Sequence, residues 1–153
     1  MRNFFRHLKR DQQGAMVIET AIVAPVLVLM ALGAFQVSQL VARQLELESA
    51  ATEAAAIALA APPEDAAKRT ILTNVIKAST GLETSRVVVT EAFRCGGNSS
   101  YITDSSTCTT GVLSKYVKIQ LTDTYAPVWT QFGFGSDVDY DVVRYVMYKQ
   151  QQV

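Results

Sequence analysis

The chain has 153 residues, and 14 Lys and Arg balance 14 Asp and Glu, so its net charge is zero. That length suits one ordinary domain, and the balance gives no sign of the basic patch or stripe that marks nucleic-acid binding. One histidine, His7, and two cysteines, Cys95 and Cys108, leave no Ser–His or Cys–His pair in the C-terminal part and too few ligands for a zinc site.

Residues 1–14 form a basic, polar leader in which Arg2, Arg6, Lys9 and Arg10 face only Asp11. Residues 15–41 then carry no charge except Glu19. The run exceeds the ~20 residues that cross a bilayer as a helix and the ~7–15 apolar residues of a cleavable signal peptide, so it predicts a retained membrane helix. The basic flank holds the N-terminus in the cytoplasm, and everything after Val41 is exported. Pro25 lacks the amide that would bond the carbonyl of Ala21, which predicts a kink. Residues 42–61 are mostly Ala, Leu, Gln and Glu, acceptable or strong helix formers, so the helix is expected to run on to Pro62-Pro63. From residue 15 to 61 it would be roughly 70 Å long. Leu40, Leu47, Ala51, Ala54 and Ala58 form a seam on one face, open either to another helix or to the chain's own exported domain.

After the prolines, residues 64–79 predict a second amphipathic helix. Its apolar face is read as Ala67, Ile71, Val75 and Ala78, joined by Leu72 and Ile76, with Gly81 as terminator. Three strands are predicted at residues 86–93, 116–122 and 138–148. The second alternates cleanly, with Val117, Ile119 and Leu121 against Lys118 and Gln120. The expected fold class is α+β: a long N-terminal helix, then a second helix on a roughly three-stranded antiparallel sheet. The organisation is a leader (1–14), a long apolar then Ala-rich helix (15–61, membrane span about 15–41) and an exported α+β domain (62–153).

Few constellations carry chemistry. No P-loop or GxGxxG fingerprint is present, and a membrane-anchored enzyme is disfavoured. Asp137, Asp139 and Asp141 resemble the opening of a calcium loop. The glycine and glutamate such a loop needs later are replaced by Val142 and Tyr148, so on a strand these acids read as a solvated face. Asn98-Ser99-Ser100 fits a glycosylation sequon, with a plain polar loop as the simpler reading. Trp129, Phe132 and Phe134 crowd one loop, read as a hydrophobic lid over the sheet end in preference to an exposed contact patch. Export into an oxidising compartment favours a Cys95–Cys108 disulfide closing the loop between the first two strands.

The stretch Gly14-Ala15-Met16-Val17-Ile18-Glu19, followed by Pro25 amid Val and Leu and then Gly33, resembles the type IV prepilin class. It looks most like the TadE-like family of the tight-adherence (Tad) pilus. That family usually shows a glycine, a small apolar stretch, Glu-Phe, and a proline inside the membrane helix. Here Thr20 stands where an aromatic is common, and Gln36 where a second acid is often found. The resemblance covers residues 14–61 and is faint beyond.

The resemblance implies cleavage between Gly14 and Ala15 by a prepilin peptidase, with the apolar helix retained. The new amine on Ala15 would titrate near ~8 and meet Glu19 of a neighbouring subunit, offsetting the desolvation of both. Without that context, Glu19 reads as a wet residue at the cytoplasmic interface. The large exported domain points to a minor pilin or pseudopilin rather than the very short major pilin. The partners implied are other pilin subunits through the N-terminal helix, the peptidase and inner-membrane assembly proteins. No cofactor or metal is implied. The alternative is a permanently anchored single-pass protein whose periplasmic domain is an adaptor for a secretion or assembly machine.

Overall fold

The computed structural model describes the backbone of residues 12–153, and side chains from residue 16 onward. Residues 1–11, most of the expected leader including His7, lie outside the described residues. Two compact units divide between Leu40 and Val41.

Helix α1 spans Gln12–Ala60 and continues through Pro25. Residues 16–35 of its first part are exposed except for the half-buried Gly33. The second unit, Val41–Val153, holds the end of α1, then α2 (Ala66–Thr80), β1 (Val87–Cys95), β2 (Val112–Tyr125) and β3 (Val138–Gln152). The three strands form one antiparallel sheet in the order β1-β2-β3, as expected for α+β. Each strand is longer than expected: β1 ends at Cys95, β2 takes in residues 112–115 and 123–125, and β3 runs on to Gln152.

In this unit the Ala-rich seam is taken up by the chain's own fold. Leu47, Ala51, Ala54 and Ala58 are each no more than 1% exposed. The alternating residues Val117, Ile119 and Leu121 of β2 are fully buried. Their register partners on β3, Val146 and Val142 opposite Val117 and Leu121, are buried too. Burying each such side chain is worth about 1.5–3 kcal/mol.

Helix α2 begins at an N-cap, Asp65, whose Oδ1 accepts the Lys68 amide at 2.7 Å; this satisfies one orphan donor of the first turn. It ends at Gly81, whose φ of 69° is left-handed and whose N–H donates to Lys77 O at 2.9 Å. A glycine adopts that conformation without a Cβ clash. The expected apolar face is corrected here. The buried row is Leu72, Ile76 and Thr80, while Ile71 and Val75 are exposed. Two adjacent apolar rows compete, and Arg69 lies on the side of the buried one. Its Nη1 donates to Glu91 of β1 at 2.8 Å, and Leu72 and Ile76 lie one and two turns further along that same face.

Candidate functional site

The expected assembly residues share the first turns of α1. Gly14 and Ala15 lie in helical backbone, and Glu19, four residues beyond Ala15, is one turn away, about 6 Å along the axis. Glu19 is exposed. Thr20, next to it, donates its hydroxyl to Met16 O at 2.8 Å, which satisfies that group without water. Pro25 lies in the interior of the same helix. Around them Ile22, Leu29, Met30 and Leu32 are 55–69% exposed. A helix with this apolar surface satisfies its own backbone and suits a lipid environment. It is long and apolar enough to be a candidate membrane span.

Within the second unit, an ion cluster joins the start of its helix to the sheet. Arg43 Nε and Nη2 both lie 2.7 Å from Asp123 Oδ2, and Arg86 Nη1 lies 2.6 Å from Oδ1. The Thr124 amide also donates to Oδ1 at 2.9 Å. Burial pushes the Asp123 carboxyl up, but the Arg43 hydrogen bond, the Thr124 amide and the two guanidinium charges outweigh it and hold it below the usual carboxylate range. Burial lowers the Arg43 pKa, and the hydrogen bonds to Glu46 and Asp123 more than reverse this. Asp123 thus gathers two cations from segments far apart in sequence. The cluster was missed in the sequence, although Asp123 falls on the alternating core face of β2 after Val117, Ile119 and Leu121. A carboxylate in that series needs a cationic partner.

At the other end of the sheet, Cys95 and Cys108 are joined in a disulfide, with Cα atoms 5.6 Å apart. Cys108 packs with Phe93, Leu113 and Ile102. Phe93 and Ile102 exchange backbone hydrogen bonds of 2.8 and 2.9 Å, so the loop adds one bridge to the free edge of β1. The neighbouring Tyr101 stacks on Tyr145 at 3.7 Å and meets Tyr116 edge-on at 5.1 Å. The Arg94 guanidinium lies 5.3 Å from its ring. Asn98 takes part in the same loop, its Oδ1 accepting the Ser100 amide at 3.1 Å.

The acids of the calcium-like stretch belong to β3 and its approach. Asp139 accepts the Thr124 hydroxyl at 2.9 Å and Asp141 the Gln120 amide at 2.8 Å. These are cross-strand contacts. The lid reading of the aromatic loop is corrected: Phe132 and Phe134 are each 71% exposed. Trp129 alone is half-buried, with its indole beside Gly135. A Cβ on Gly135 would stand 3.3 Å from Trp129 Nε1.

One unit is thus an apolar helix carrying Glu19, and the other is a folded unit braced by Asp123 and the disulfide. No curated protein and no solved structure matches the chain. Residues 14–56 match the model of the family described as TadE-like protein, and over that helical stretch the chain is similar to that family.

Proposed function

We propose that the chain is a minor pilin or pseudopilin subunit of a Tad-type pilus, with a structural role in assembly, initiation or tip display and so in surface adhesion. The observation that carries this reading is the coincidence of the TadE-like match with an apolar helix whose surface is exposed and whose one early charge is Glu19. A buried core helix would not leave such a surface open. In this reading the helix spans the inner membrane with its N-terminus in the cytoplasm. A prepilin peptidase cuts between Gly14 and Ala15, and the processed chain passes to inner-membrane assembly proteins. Glu19 then meets the Ala15 amine of a neighbouring pilin, and Pro25 loosens the helix so that it adjusts on leaving the bilayer. The folded unit, stapled by Cys95–Cys108, is the part displayed. The test is fractionation of cells expressing the chain at native level. The account expects the chain in fibres sheared from the surface. A chain confined to the inner membrane of cells that do make fibres would favour the permanently anchored adaptor.

A further inference from the structure

We propose that the loop joining β2 to β3 docks the folded unit on the lipid bilayer, with Phe132 and Phe134 seated at the membrane–water interface; this rests on the reading of the apolar helix as a membrane span. Four observations combine. First, the helix carries no charge from Thr20 to Ala42, and Arg43 is the first cation after it. Arg43 therefore marks where the helix leaves the hydrocarbon. Second, Arg43 is ion-paired with Asp123, which lies two residues before the end of β2. The β2–β3 loop leaves the sheet from that end, whereas the Cys95–Cys108 loop leaves from the opposite one. Third, the chain has no charged residue from Thr124 to Ser136, and the carboxylate of Asp123 is matched by Arg43 and Arg86. Nothing in the loop itself demands full hydration.

Fourth, the loop is built to hold its aromatics outward. Pro127 is buried at its start, and Val128–Phe132 forms a short 3-10 turn. The Gly133 amide donates to Thr130 O at 3.0 Å and the Phe134 amide to Trp129 O at 3.2 Å. These bonds satisfy backbone groups that would otherwise be costly near lipid. Trp129 is half-buried beside Gly135, and Phe132 and Phe134 are the most exposed aromatics among the described residues. Exposed Phe rings of this kind suit the boundary between headgroups and acyl chains, where the apolar face of a surface-bound segment sinks. A loop already ordered gives up little further entropy on docking. The consequence is a second attachment: the loop adds its own hold on the bilayer to that of the helix. Extraction of the subunit from the bilayer would have to release the loop as well as the helix.

The test places a reporter at the loop tip. Trp129 is the only tryptophan, so Trp129→Phe gives a silent background. In it Phe132→Trp, and separately Phe134→Trp, are made in the full chain and reconstituted into phosphatidylcholine vesicles with bromine at defined depths on the acyl chains. Leu32→Trp in the same background reports on the span. Circular dichroism and the intact disulfide establish that each variant is folded. The expected result is loss of Phe132→Trp and Phe134→Trp emission with lipids brominated near the headgroup and little loss with lipids brominated near the chain ends. Leu32→Trp should lose emission with the deep lipids. Unquenched loop reporters beside a quenched Leu32→Trp would overturn the docking and leave the span standing, and a contact with another protein would then be the remaining role for the loop. Absence of quenching at all three positions would remove the span and the docking together.

Discussion

Arg43 grips Asp123 with two nitrogens at 2.7 Å across 80 residues of sequence. Through that contact the point where the helix enters the folded unit is fixed to the end of β2, and Arg86 fixes the approach to β1 on the other carboxylate oxygen. Asp123→Asn keeps the shape and removes the charge. It should destabilise the unit by about 1.5–3 kcal/mol, the scale of hydrogen bonds to charged groups, read as a lower denaturation midpoint of the full chain in mild detergent. The pH dependence has a definite sign. Because the folded Asp123 has a lowered pKa, its contribution is fully present above the unfolded carboxylate value of about 3.9. It is lost as pH falls from there through the lower folded value. Asp123→Asn should flatten the part of the acid limb that Asp123 supplies. An unchanged midpoint and acid limb would mean the cluster contributes nothing.

The disulfide closes a loop of 13 residues' separation. Replacing both cysteines by serine should cost roughly 3 kcal/mol in the chain-entropy model and free Tyr101 to leave Tyr145. Tyrosine fluorescence and a denaturation curve read the two effects. Two free thiols by mass spectrometry of the protein taken from the cell envelope would contradict the bond.

Ala51 is fully buried and Leu45 is 60% exposed on the same helix. Ala51→Leu should therefore overpack the unit and cost about 1–3 kcal/mol, whereas Leu45→Ala should stay within about 0.5 kcal/mol. Equal effects would mean the seam is not the packed face.

Much of this arrangement was legible in the chain. The alternation of Val117, Ile119 and Leu121 marked β2 and its core face, Pro62-Pro63 marked the end of α1, and the Ala seam marked the packed side of the helix. What was not legible depended on partners distant in sequence. Ile71 and Val75 satisfy an apolar-face pattern as well as Leu72 and Ile76 do; the packing of the sheet selects between them, and the Arg69–Glu91 pair lies on the chosen side. The loop aromatics read as a lid because composition alone favours burial, and only the turn at Gly133 sends Phe132 and Phe134 outward. For the N-terminal residues the spacing permits the charge pairing but does not compel it; the role of Glu19 belongs to the proposed function.

Glu19→Gln tests that role. It keeps size, removes charge and makes membrane insertion easier, since a central acid costs ~2.5–3.5 kcal/mol on insertion scales and less near an interface. The variant should be expressed, processed and disulfide-bonded, yet absent from or defective in fibres. Normal assembly of cells carrying only Glu19→Gln would reduce Glu19 to a wet interfacial residue.

The most direct measurement of the central claim is the N-terminal sequence of the chain recovered from sheared fibres, with Gly14→Arg as the blocked control. The account predicts a chain beginning at Ala15, and a Gly14→Arg chain that keeps its leader and stays out of the fibre. A fibre-borne chain that still begins at Met1 would contradict it.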